Sequence, residues 1–142
     1  MAATSLHRNQ TSPDAVTTAL ASFVHQQTIL LTTFRRDGTP VGTPVSIAVK
    51  GDRAFVRTWG TAGKFKRVRN NPEVTIAPST VTGKPTGPAR RARARILGGQ
   101  ESAHAARLLR RKHPFLHGVF VPLVHRLRGS TTMHLELTPV QA

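Results

Sequence analysis

The chain has 142 residues, of which 38% are apolar, and carries 21 Lys and Arg against 6 Asp and Glu, a formal net charge of +15. That length and apolar content fit one globular domain with a modest core, and the charge attracts polyanions: nucleic acid, anionic lipid or a multiply charged small ligand. The absence of cysteine excludes disulfides, thiolate metal sites and a cysteine nucleophile.

The first dozen residues, rich in polar and small side chains, read as a loose tail (1–12), with a single domain over 13–142. They contain no apolar signal core. No stretch of the chain approaches the roughly 20 apolar residues of a membrane span, so a cytoplasmic protein is expected. Ser12-Pro13-Asp14 is a helix-start signal, and Ala15, Val16, Ala19, Leu20, Phe23 and Val24 follow at helical spacing. The pattern predicts an amphipathic helix over 14–26.

Thr28 to Phe34 is β-branched and apolar, a strand. Arg35-Arg36-Asp37-Gly38 is a hairpin turn, with Asp-Gly its strongest signal. The returning strand covers 40–49, Gly51-Asp52 turns the chain again, and a third strand covers 54–59. The next segment, R-T-W-G-T-A-G-K-F-K-R-V-R-N-N from Arg57 to Asn71, runs from a strand end through a turn into a short basic helix stopped by Pro72. Backbone N–H groups, a helix N-terminus and several cations near one spot suit an anionic phosphate. Thr61 could cap this helix, and Gly63 would admit a ligand close to the backbone. Lys64 and Arg67, three residues apart, share one face, and Phe65 and Val68 another.

A fourth strand covers 73–77, followed by a loop from Pro78 to Pro88 dense in Gly, Pro, Ser and Thr. Over 89–97 alternation resumes, with Arg91, Arg93 and Arg95 on one face and Ala92, Ala94 and Ile96 on the other. A helix is predicted over 100–112, an apolar helical face over 115–128, and a last strand over 133–138. Short antiparallel strands with few helices point to a small barrel, mainly β with flanking helices and six to seven strands. No G-x-G-x-x-G follows a strand, which argues against a Rossmann site.

The succession L-L-T-T-F-R-R-D-G-T-P-V-G-T-P-V, then V-R-T-W-G-T-A-G-K-F-K-R-V-R-N-N-P, then A-P-S-T-V-T-G-K-P-T-G-P resembles the split β-barrel flavin and deazaflavin oxidoreductases. This is the pyridoxamine 5′-phosphate oxidase-like superfamily. Within it, the deazaflavin branch that binds coenzyme F420 in actinobacteria is the most similar. The resemblance covers about 28–96 and extends more weakly to Thr138. It implies a homodimer with two cofactor sites at the subunit interface and a hydride passing between the cofactor ring and a small, conjugated organic electron acceptor. It also implies that Pro44, Val45 and Ser46 lie along the ring. Arg57 and Thr58 would contact the ribityl-type chain, and Gly63, Lys64, Lys66 and Arg67 would surround the phosphate. Pro78, Ser79 and Lys84 would close on the ring or the acidic tail. Trp59 reads equally as a lid over the cofactor or as packing at the dimer interface.

F420 joins a flat ring to a phosphodiester and a glutamate tail, and the basic surround suits it better than FMN, the alternative cofactor. A carrier that binds F420 without turnover is a further alternative. The seven histidines are scattered and form no triad or metal spacing, and no general acid is recognisable. A basic nucleic-acid module is disfavoured: aromatics are 5% and Tyr is absent, which leaves few stacking platforms. The 115–128 segment, preceded by Lys112-His113-Pro114 where relatives carry a K-Y-G-like sequence, reads as a core helix rather than a membrane-surface contact.

Overall fold

A computed structural model describes residues 18–60, 62–113 and 131–140. Six antiparallel strands close into a barrel: β1 (Thr28–Phe34), β2 (Pro40–Lys50), β3 (Arg53–Gly60), β4 (Glu73–Pro78), β5 (Arg90–Ile96) and β6 (Thr131–Pro139), in the spatial order β1-β2-β3-β6-β5-β4. Closure leaves no sheet edge unpaired. Among the described residues two α-helices accompany them, α1 (Ala62–Asn70) between β3 and β4 and α2 (Gly99–Lys112) between β5 and β6.

The two-residue period of the strands builds the core. Ile29, Leu31 and Thr33 of β1 point inward, as do Val45 and Ile47, Ala54 and Val56, Val74 and Ile76, Ala92 and Ala94, and Leu135 and Leu137 of the other strands. The β1–β2 turn is set by Gly38 at φ +88°, where Arg35 N–H donates to Thr39 O at 2.9 Å and Gly38 N–H to Arg35 O at 2.8 Å. Val68 of α1 joins the core beside the end of β1, where Arg67 Nε donates to Thr33 Oγ1 at 2.7 Å.

The helix expected over 14–26 is replaced, within the described residues, by a 3-10 helix at Thr18–Phe23, closed by Gln26 N–H donating to Phe23 O at 3.1 Å. With three residues per turn, Leu20 and Phe23 stack on one side, and both are fully buried. Residues 14–17 lie outside the described residues, as do the N-terminal tail and the helix expected over 115–128. Among the described residues no helix is long and apolar enough to cross a membrane.

The arginine stripe of β5 faces outward as its alternation requires, and the fold supplies it with carboxylates. Arg93 pairs with Glu73 at 2.9 Å, and Arg95 with Glu101 at 2.9 Å and Glu136 at 3.1 Å. Helix α2 lies over the outer face of β2, β3 and β6, burying Ala105 and Leu109. His113 ends it, donating its backbone N–H to Leu109 O at 2.8 Å. Lys112 Nζ donates to Gln26 O at 2.5 Å, which ties α2 to the chain entering β1, and burial holds this amine down at about 8.

Candidate cofactor and anion site

The outer surface of the barrel carries most of the expected ring-facing residues. Ser46 of β2 pairs with Thr28 on one side and with Arg57 of β3 on the other, and Arg57 pairs in turn with His134 of β6. These four form a row across the sheet. One step along, Pro44 pairs with Leu30, which pairs with Ala77. The loop after β4 folds back here. Ser79 N–H donates to Thr28 O at 3.3 Å, and Gly83 lies close enough that an added Cβ would stand 3.5 Å from Pro44. Lys84 is held in this loop through its N–H to Thr80 Oγ1 at 3.0 Å, and its side chain is exposed. Thus Pro44, Ser46, Arg57, Pro78, Ser79 and Lys84 occupy neighbouring positions at the start of β1.

Two of the expected residues point the other way. Val45 is a core side chain, and Thr58 is 2% exposed with its Oγ1 buried and without a hydrogen-bond partner among the described residues. Both follow from the strand period, which turns neighbours of outward residues into the barrel. A ligand on the outer face would meet them through their backbone.

Arg57 itself is half-buried beneath α2. Burial, and then the like charge of Arg110, lower the affinity of its guanidinium for the proton, although an arginine keeps its charge throughout the accessible pH range. His134 Nδ1 shares a 2.7 Å hydrogen bond with Ser102 Oγ on α2, while Nε2 is buried without a partner among the described residues. Burial and the neighbouring Arg57 push the imidazole down to about 4, so it is neutral at pH 7.

The second group lies farther along β1. Trp59 and Gly60 end β3, Thr61 lies outside the described residues, and Gly63 and Lys64 sit in the first turn of α1. Lys66 is exposed and Arg67 half-buried. Together they line a hollow of about 360 Å³ with Phe34, Arg35, Arg36 and Asn70. Four of these residues are cations, and none is acidic. The Nε bond to Thr33 anchors the Arg67 guanidinium in the wall. From the Thr28–Ser46–Arg57 row to Thr33 is five positions of β1, about 17 Å at a strand's rise. The expected residues therefore spread along β1, with Pro44, Ser46 and Arg57 toward one end and the cationic hollow at the other.

Arg35 and Arg36 escape a sequence reading that takes them only as turn residues. The available signal is that a hairpin at the end of β1 must stand beside whatever caps that end of the barrel. His134, Ser102 and Arg110 become neighbours of Arg57 only through the β3–β6 pairing and the docking of α2. Among the described residues no three His, Cys, Asp or Glu side chains gather as metal ligands.

No protein-family model matches the sequence, and no curated protein sequence matches it either. Solved structures do. A proposed pyridoxamine 5′-phosphate oxidase from Listeria innocua is similar at TM-score 0.60 and 16% identity, over 86% of this chain and 90% of that one. A protein described as an F420 reductase is similar at TM-score 0.53 and 16% identity, over 84% and 92%. A FAD-binding protein from Mesorhizobium loti is similar at TM-score 0.55 and 15% identity, over 88% and 90%. The chain has the split-barrel fold of the pyridoxamine 5′-phosphate oxidase-like proteins.

Proposed function

We propose that the chain is an F420-dependent oxidoreductase, passing a hydride between the deazaflavin and a small conjugated acceptor. The observation that carries this reading is the spacing of two surfaces along β1. An outer face running from Arg57 and Ser46 to Pro44 lies about 17 to 10 Å from a hollow lined by Arg35, Arg36, Lys66 and Arg67. FMN ends at one phosphate. A deazaflavin whose chain continues through a phosphodiester into carboxylates has anionic groups to place at both the start of α1 and the hairpin. The donor set fits that group: guanidinium and ammonium cations, with no carboxylate in the wall to repel it.

On this reading the bound deazaflavin supplies the hydride-carrying ring carbon. The protein's own residues bind, orient and shelter it. Pro44 and Ser46 support the ring, Arg57 faces the chain, and Val45 and Thr58 contribute backbone. Gly63, Lys64, Lys66 and Arg67 surround the phosphodiester, and Arg35 and Arg36 extend the cationic wall beyond it. The loop carrying Pro78, Ser79 and Lys84 covers the ring and excludes water. Trp59, at the end of β3, would serve either as a lid over the cofactor or as packing at the dimer interface. A homodimer would place a second protomer over the exposed Pro44 end of this face.

The reading is tested by offering F420 and FMN in competition to the purified protein and following both by absorbance and fluorescence. Micromolar or tighter F420 binding with no retention of FMN is expected. Absence of F420 binding at low salt would overturn it. Oxidation of reduced F420 against a panel of quinone-like acceptors separates an enzyme from a carrier, and light scattering reports the dimer.

A further inference from the structure

A larger cavity, of about 900 Å³, opens at the Arg53 end of β3, the end away from α1, between the β2–β3 turn and the first half of α2. Its floor is apolar. Phe55 and Leu97 are each 7% exposed and pack with Ala105 and Leu108, and His104 stands edge-on to Phe55, 6.1 Å between ring centres at 89°. Glu136 lies at its base, gripped by Arg53 at 3.0 Å and Arg95 at 3.1 Å, and Arg95 also makes a two-pronged pair with Glu101 at 2.9 and 3.0 Å. These pairs set the walls.

The charge bookkeeping of the lining is informative. Four cations (Lys50, Arg53, Arg95 and Arg107) face three carboxylates (Asp52, Glu101 and Glu136). Every one of those carboxylates is already within ion-pair distance of Arg53 or Arg95. The Arg107 side chain has no hydrogen-bond or ion-pair partner among the described residues, nor does that of Gln100, about two helical turns away. A cationic ligand would find each carboxylate engaged, and a neutral one would leave Arg107 as it is. A negatively charged ligand alone adds a favourable pair.

We propose that this cleft is a binding site for a small aromatic acid, its flat body on Phe55, Leu97 and His104 and its carboxylate on Arg107. The cavity volume falls in the range of about 300–1,000 Å³ that holds small molecules, with the usual pattern of an apolar floor and a few placed polar groups. Edge-on aromatic pairs such as Phe55 and His104 accept a further ring. This site stands apart from the hairpin–α1 hollow and does not depend on the cofactor that the hollow takes.

The test is calorimetric titration of the full chain with 2-naphthoate at physiological salt. Saturable one-to-one binding is expected, weakened at least tenfold in Arg107→Glu and about tenfold for the neutral 2-naphthamide on the parent protein. Arg91→Glu, an equal change of net charge on the exposed face of β5, should bind as the parent does. Circular dichroism confirms that each variant is folded, which substitutions at these exposed positions should permit. No saturation up to millimolar 2-naphthoate would overturn the proposal. So would parent-like affinity in Arg107→Glu, or an equal loss in Arg91→Glu, which would assign the binding to the general positive field.

Discussion

Arg67 Nε donates to Thr33 Oγ1 across 2.7 Å, a bond between the basic helix α1 and a β1 side chain that is 1% exposed. It couples the anion-facing part of the molecule to the barrel core. Beside it Val68 enters the core cluster, so consecutive residues of α1 fix the helix by one polar and one apolar contact. Thr33→Val keeps the shape and removes the acceptor. It should cost about 1–2 kcal/mol, since the bond is to a charged group that stays half-solvated. The thermal midpoint should fall by several degrees, and Thr33→Ser should restore it. A Thr33→Val melt equal to the parent's would show that Val68 alone holds the helix.

The local rules read well in this chain. Thr28–Phe34 coincides with the expected strand because both its ends are marked, by polar Gln26-Gln27 before it and by Arg35-Arg36-Asp37-Gly38 after it. The inward turn of Thr58 is legible in the alternation Ala54, Val56, Thr58, all buried, and it is the strand period, not the basic motif around Arg57, that decides where this side chain points. What could not be read is everything that depends on closure. The meeting of Arg35 and Arg36 with Lys66 and Arg67 joins residues about thirty apart. The pairing of Arg57 with His134 joins residues more than seventy apart. The arginines of β5 counted toward an attractive positive field in the sequence, and in the fold Arg93 and Arg95 answer Glu73, Glu101 and Glu136 from three other elements. The short helix before β1 defied its spacing because Leu20 and Phe23, three apart, suit a 3-10 turn as well as an α-helix.

His134 makes stability depend on pH in a definite direction. Burial and then Arg57 hold its folded-state value at about 4, below the ordinary value of 6.5. The unfolded chain therefore binds the proton more readily, and folding is favoured as the proton leaves. The stabilisation is complete above pH 6.5 and is lost as pH falls from there toward 4. His113, whose imidazole burial also lowers, acts in the same direction. Denaturant titrations should show a fall on the order of 2–3 kcal/mol across that window. His134→Asn, which cannot take up a proton, should flatten most of the slope. An unchanged slope would assign the acid sensitivity elsewhere.

Glu136 holds two arginines from different strands, Arg53 of β3 and Arg95 of β5, with its side chain 11% exposed between them. The arginines are about half exposed, so the pairs fall between a surface bridge and a buried one. Glu136→Gln keeps the shape while leaving two neighbouring guanidiniums without their shared counter-charge. A loss of about 1–2 kcal/mol is expected, partly recovered at high salt as the arginines are screened from each other. Glu136→Leu should lose more, since position 136 would then offer neither arginine an acceptor, leaving Arg95 to Glu101 and Arg53 to Asp52. Equal stability of Glu136→Gln and the parent at low salt would show that the network shapes the cleft without stabilising the barrel.

The hairpin–α1 hollow makes the cofactor reading quantitative, because its cations come from two separate pieces of chain. If a multiply anionic ligand spans it, Lys66→Glu on α1 and Arg36→Glu on the hairpin should each weaken F420 binding about tenfold or more, equivalent to roughly 1.4 kcal/mol. Each should also reduce the steepness with which affinity falls as salt rises, since one cation fewer is screened. The two substitutions line one hollow from separate elements, so the double variant should lose less than the product of the single losses if the anionic group they repel is shared, and the full product if each meets a different one. F420 binding that is indifferent to Arg36→Glu at low salt would remove the hairpin from the site and leave α1 alone to hold the anion.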